Sequence, residues 1–221
     1  MSEISDQHKT VLAKLAAASK RAGGSAAELV AVSKVQPDDR IAQMLKTGQR
    51  IFGENRVQEA QTRWGETFAD HRGNVELRLI GPLQTNKAAD AAALFDVIET
   101  VDREKLLKAL VKAVGDGKMP RLYVQVNTGA EPQKSGVLPA DLPAFLKTMR
   151  ETYKLEPEGL MCIPPAGEAA SPHFWMLSNL AKDNGVAKLS MGMSADYEIA
   201  AEMGATSVRV GSALFGARDY A

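Results

Sequence analysis

Short apolar, β-branched runs alternate along this chain with longer stretches in which apolar residues recur at helical spacing. The runs are Leu29–Lys34, Arg50–Glu54, Leu77–Gly81, Asp96–Val101, Arg121–Asn127, Gly159–Ile163, Lys188–Met193 and Ser207–Phe215. Between them the spacing predicts helices over Asp38–Thr47, Asn55–Trp64, Gln84–Leu94, Arg103–Val114, Asp141–Tyr153, Pro172–Asn184 and Ser194–Met203, several opened by capping residues. Strand, helix, strand, helix implies parallel pairing. Eight such units, most of roughly 20–35 residues, match the smaller end of the (β/α)8 TIM barrel range, with an open doubly wound sheet as the alternative. The eighth run ends too close to the C-terminus for a last helix. An amphipathic segment carrying Ile4, Val11, Leu12, Leu15 and Ala18 precedes the first run and is predicted to close the outer ring instead. One domain over residues 1–221 is expected, since no Pro/Gly/Ser-rich linker divides the chain.

Composition narrows the function classes. Lys+Arg and Asp+Glu both total 27, so the formal charge cancels and no basic arm or face suits a nucleic acid backbone. With 45% hydrophobic and 24% charged residues, the chain is an ordinary globular one that can bury a core. No uncharged apolar stretch approaches the ~20 residues of a membrane helix, and the acidic start has no apolar signal region behind it. A soluble cytoplasmic protein without membrane contact is expected. Cys162 is the single cysteine, and His8, His71 and His173 fall in no metal-ligand spacing, so no metal site is expected.

In a barrel of this kind the chemistry sits at the C-terminal ends of the strands. Period-two alternation in Leu29-Val-Ala-Val-Ser-Lys34 sets Lys34 on the face of Val30 and Val32, at the top of the barrel interior. Desolvation there lowers a lysine pKa and frees the lone pair for imine formation with an aldehyde; the plainer reading is a strand-end lysine whose head reaches water. The loops after strands seven and eight are the recurrent phosphate site of these barrels, and they hold Ser194, Gly211 and Ser212. An N-cap for Ser194 and a tight turn for the glycine are the structural alternatives. Arg209, between Val208 and Val210, suits either a ligand contact or a buried ion pair with a barrel carboxylate. Asn55 with Gln58 reads as a capping-box variant, which would account for it without any ligand. Gln84, Asn86 and Lys87 gather more polar capacity than the turn at Gly81-Pro82 needs. Gly129 to Ser135 is no Walker loop, because Gln133 stands where a glycine is required and Pro132 lacks an N–H. No G-x-G-x-x-G follows any strand.

Seven pieces in order carry a family resemblance: Val32-Ser-Lys34; Phe52-Gly-Glu-Asn55 with Val57-Gln-Glu59; Ile80-Gly-Pro-Leu-Gln-Thr-Asn-Lys87; Val124-Gln-Val-Asn127 with Lys134-Ser-Gly136; Gly159-Leu-Met161; Leu189-Ser-Met-Gly-Met-Ser194 with Asp196; and Val208-Arg-Val-Gly211 with Phe215-Gly-Ala-Arg218. From Leu29 to Arg218 the chain resembles the pyridoxal phosphate homeostasis proteins, relatives of the N-terminal barrel of alanine racemase. The resemblance implies a fold type III barrel that holds pyridoxal 5'-phosphate as an imine of Lys34. It further implies that Ser194, Gly211 and Ser212 hold the phosphate, that Arg209 faces the pyridine nitrogen and that Asn55 lies near the ring. The sequence departs from the family pattern at Leu77-Arg78-Leu79, where Trp-His is usual before Phe-Ile-Gly, and at Arg56, where an aromatic is common.

The family resemblance implies a role in maintaining intracellular pyridoxal phosphate, with apo-enzymes as possible recipients and no catalytic residue. An arginine at the pyridine nitrogen disfavours its protonation and weakens the ring as an electron sink. Alanine racemases add a C-terminal β-domain whose tyrosine is the second base, and the sequence to Ala221 is expected to lack it. A small pyridoxal phosphate-dependent racemase or lyase is the alternative function. An unrelated sugar-phosphate barrel would leave Lys34 without an aldehyde.

Overall fold

The computed structural model describes residues 2–216; Ala217 and Arg218 of the last resembling motif lie outside them. Eight parallel strands pair in chain order and close into a barrel. They are β1 (Glu28–Val32), β2 (Ile51–Glu54), β3 (Glu76–Leu79), β4 (Val97–Val101), β5 (Arg121–Val126), β6 (Gly159–Cys162), β7 (Lys188–Ser190) and β8 (Ser207–Val210). Closure is made by β1, which sets Leu29 opposite Val208 on β8 and Ala31 opposite Phe52 on β2. The barrel expected from the alternating pattern is therefore the fold, and the open sheet is excluded.

Period-two alternation sorts the side chains. Leu29, Ala31, Leu77, Leu79, Leu122, Val124, Val208 and Val210 join the apolar layer beneath the helices. Their strand neighbours turn into the barrel, where Val97, Tyr123 and Met161 form a small separate cluster and Arg78, Glu99, Ser190 and Arg209 are buried. The interior is thus half polar. The departure at Leu77-Arg78-Leu79 follows the same rule, with two leucines outward and the arginine inward.

The outer ring begins with α1 (Glu3–Arg21), capped by Ser2 and burying Ile4, Val11, Leu15 and Ala18, while Leu12, one position out of phase, is exposed. It packs against α2 (Asp38–Lys46), α9 (Tyr197–Glu202) and α10 (Ser212–Phe215), closing the ring as expected. Four helices complete the ring further along: α5 (Ala88–Leu94), α6 (Glu104–Val114), α7 (Leu142–Glu151) and α8 (Ala170–Asp183).

Three sequence readings need correction. The eighth run is not one strand, because β8 stops at Val210 and one helical turn, α10, follows; the Arg40 guanidinium of α2 donates to its Phe215 carbonyl. The helix expected at Asn55–Trp64 begins at Val57 as α3 (Val57–Thr62), widens into a π-helical turn at Arg63–Thr67 and ends in α4 (Ala69–Arg72). Arg56 is the N-cap residue and no side chain caps the turn, so the Asn55–Gln58 capping box does not form. The helix expected from Ser194 starts at Tyr197 with Asp196 at its N-cap position; no side chain caps it, and the Asp196 carboxylate accepts the Met193 N–H at 2.6 Å within the preceding turn.

Candidate functional site

Lys34 sits in the turn just past β1, half-buried at the barrel mouth. The backbone on both sides of it is held by one network. Ser33 Oγ donates to Glu54 Oε1 at 2.7 Å, and the Val35 N–H donates to Glu59 Oε1 at 2.7 Å. Arg63, first residue of the π-helical turn, donates to the Ser33 and Gln36 carbonyls at 3.2 and 3.0 Å and to both carboxylates at 3.0 Å. Val35 is in the left-handed region, φ 58°, a conformation costly for a β-branched residue and maintained by these contacts. Burial pushes the Glu54 carboxyl up, against the opposing pull of Arg63, Ser33 and Trp64. Arg63 and Glu59 stand at i,i+4 spacing, a legible signal, whereas their grip on the lysine turn crosses elements and is not.

The far wall comes from β7, β8 and their loops. Ser194 Oγ accepts the Gly211 N–H at 3.1 Å and the Ala213 N–H at 3.4 Å, so two backbone donors converge on one oxygen. Gly192 makes this loop possible: its φ is +91° and a Cβ there would lie 2.4 Å from the Ala200 Cβ. Gly211 is different. Its φ of −118° suits any residue, and a Cβ would meet Val32 no closer than 3.5 Å, so the protein's own packing does not demand a glycine there.

Arg209 makes the buried carboxylate contact that one of its two readings expects. Its Nη1 donates to Ser190 Oγ at 2.6 Å and stands 3.9 Å from Glu99, while its Nη2 donates to the Cys162 carbonyl at 2.8 Å. It also lines the pocket. Asn55 reaches the same pocket because Gly81 lets the chains close up: a Cβ at Gly81 would lie 2.3 Å from the Asn55 carbonyl oxygen.

Lys34, Asn55, Ser194, Arg209, Gly211 and Ser212 all line this one cavity of about 300 Å³, at the lower end of the usual size for small-molecule and cofactor sites. Val32, Ile80, Ile163, Met193 and Ala195 complete it and were not singled out from sequence, since apolar residues at strand ends look like core. Glu99 and Ser190, which orient Arg209, were missed too, although a glutamate inside the run Asp96–Val101 was a signal. Arg78, noted only as a departure, lies elsewhere in the barrel with Glu28, Glu76 and Glu99 at 2.6, 2.5 and 3.3 Å. Burial alone would lower its pKa, but Glu99 and Glu76 outweigh that and hold it charged. Gln84 and Lys87 line a neighbouring groove with Arg56.

A set comprising an amine, converging backbone N–H groups, hydroxyls and a buried guanidinium suits an anionic, carbonyl-bearing ligand such as pyridoxal phosphate. Among the described residues no helix is long and apolar enough to cross a membrane.

Residues 9–219 match the alanine racemase N-terminal domain family. The chain is 41% identical to a pyridoxal phosphate homeostasis protein of Pseudomonas aeruginosa, over 100% of this chain and 98% of that protein. It is similar to the structure of PipY of Synechococcus elongatus with pyridoxal phosphate bound, with a TM-score of 0.82, 34% identity and coverage of 97% and 100% of the two chains. Alanine racemase from Bartonella henselae shares the fold, with a TM-score of 0.74 at 17% identity, over 97% of this chain and 58% of that one. The strand-end residues and these full-length likenesses agree, and the chain belongs to the pyridoxal phosphate homeostasis protein family, within the alanine racemase N-terminal domain family.

Proposed function

We propose that this protein binds pyridoxal 5'-phosphate in the Lys34 pocket and serves intracellular pyridoxal phosphate homeostasis by holding the cofactor reversibly. The observation that carries the reading is the convergence on a single cavity of an amine, the Gly211 backbone with the Ser194 and Ser212 hydroxyls, and a buried guanidinium. When bound, pyridoxal phosphate supplies an aldehyde that condenses reversibly with amines. Lys34 is the amine at hand, on a backbone held from both sides by Glu54, Glu59 and Arg63. Ser194, Ser212 and the backbone at Gly211 would hold the phosphate, Arg209 would face the ring nitrogen and disfavour its protonation, and Asn55 would lie beside the ring.

Among the described residues, Lys34 and Arg209 are the only ionisable side chains lining the cavity. Moving a proton between the two faces of an α-carbon requires a base on each side, so these residues favour holding over racemase or lyase turnover. Cytoplasmic residence goes with this reading, as does an apo-enzyme recipient; Cys162 is a buried free thiol that calls for no oxidising compartment.

The test is to load purified protein with pyridoxal phosphate, reduce with borohydride and map the adduct. Lys34 should carry it, and Lys34→Ala should abolish the visible band. An adduct mainly on another lysine sinks the assignment. Incubating the loaded protein with amino acids in deuterated water should give negligible α-proton exchange, and cofactor should pass to an apo-aminotransferase. Exchange at about 1 s⁻¹ or faster, in the ordinary enzyme range, would make the racemase or lyase reading the better one.

A further inference from the structure

Beside the cofactor pocket lies a second concavity of about 680 Å³, lined by Arg56, Lys87 and Arg103 together with Asn55, Gln58 and Gln84. Among the described residues, none that lines it is a carboxylate. Two of its cations have partners: Lys87 Nζ lies 3.4 Å from Asp90, and Arg103 pairs with Asp102 while donating to the Leu83 carbonyl at 2.8 Å. Arg56, the N-cap residue of α3, makes no side-chain cap bond and has no ion pair or side-chain hydrogen bond among the described residues. Its guanidinium is exposed at the mouth of the barrel.

Position gives this charge its meaning. The groove is built from the segments after β2, β3, β4 and β5, whereas Ser194, Gly211 and Ser212 follow β7 and β8. Because the barrel closes in chain order, Lys34 at the end of β1 stands between the two. Asn55 lines both concavities, so they share a wall. Three cations facing one groove raise the local concentration of anions and need only modest further contacts to select them. We propose that this groove binds the carboxylate of an amino acid, orienting its amine toward Lys34; this rests on the proposed function and names the class of amine that discharges the cofactor. In that discharge the incoming neutral amine adds to the imine carbon, and the double bond from that carbon to Lys34 Nζ is replaced by one to the incoming nitrogen. Two protons pass from the incoming nitrogen to Nζ, Lys34 is released as a free amine, and nothing is oxidised or reduced.

The primary test uses the cofactor-free protein. An NMR titration with L-glutamate should shift the amides of residues 56–60 and 83–87 saturably, while n-propylamine, which has no carboxylate, should leave them in place. Combining Arg56→Gln with Lys87→Gln should raise the half-saturating glutamate concentration about fivefold or more, the scale of lost exposed ion pairs, and Arg56→Lys alone should retain binding. In the loaded protein, the same double substitution should slow discharge by glutamate and leave discharge by propylamine unchanged. Identical titrations in wild type and double variant, or equal responses to glutamate and propylamine, overturn the proposal. Should the protein show no Lys34 adduct, the proposed function fails while the titration still decides the groove. Arg56→Gln alone, at an exposed position, serves if the double variant does not fold.

Discussion

Glu99 lies between two buried arginines, its Oε1 3.3 Å from Arg78 and its Oε2 3.9 Å from Arg209. Ser190 Oγ donates to Oε2 at 2.6 Å and accepts from Arg209 at the same distance. One carboxylate on β4 therefore links Arg78 to the arginine of the pocket. Removing it leaves two buried cations under-compensated, so Glu99→Ala should cost about 3–5 kcal/mol. Urea unfolding of the cofactor-free protein measures this. Adding Arg78→Met to Glu99→Ala should recover part of the loss, because one stranded charge is removed, and a purely additive double variant would contradict the linkage.

Ser194 ties the β7 loop to the β8 loop and does not cap α9. Ser194→Ala should therefore change the stability of the cofactor-free protein by less than about 1 kcal/mol, as its two N–H partners border a solvent-accessible cavity. Affinity for pyridoxal phosphate should fall roughly tenfold or more, the scale of a hydrogen bond to a charged group, while affinity for pyridoxal stays put. Spectroscopic titrations with the two aldehydes measure both effects, and equal losses for the two would remove phosphate from the account.

Gly211→Ala isolates ligand from fold. Its Cβ finds room against Val32 at 3.5 Å and its φ is ordinary, so melting should shift little. Retention of pyridoxal phosphate should nevertheless drop, because the methyl group enters the cavity that the ligand must fill. Equilibrium dialysis of the two proteins gives the comparison.

Acid should weaken this fold partly through Glu76. Burial alone would raise its carboxyl, but the guanidinium groups of Arg78 and Arg121 outweigh that and hold it below the ordinary 4.5. As pH falls through and below 4.5, the unfolded state takes up a proton before the native one does, so stability present above that range is lost. Glu76→Gln should lower stability at neutral pH and flatten the acid limb of the urea midpoint against pH. An unchanged acid limb would show that other carboxylates dominate.

Burial pushes the Cys162 thiol up to about 12, leaving almost no thiolate at neutral pH. Alkylation by iodoacetamide should be slow in the folded protein and fast in urea, as followed by intact mass. Rapid native labelling would mean that β6 opens locally.

The repeating pattern of apolar runs and helical stretches by itself determined the eight-stranded barrel and the helix that closes its ring. Both follow from local periodicity and from the need to bury one face of every element. It also marked out Lys34, Arg209 and Gly211, because alternation from Val30 and Val208 assigns a face and the end of a strand assigns a height. Tertiary structure decided the rest. Asn55 is a pocket residue and not a cap, because close approach to Gly81 draws it to the barrel wall and α3 starts two residues later. Ser194 gives its oxygen to amides 17 and 19 residues away, a choice set by the pairing of β7 with β8, while Asp196 stands at the N-cap position of the helix. Glu99 meets Arg78 and Arg209 only after the barrel has closed. Those side chains lie on β4, β3 and β8, and local periodicity carries no information about which strands closure will bring together across the interior.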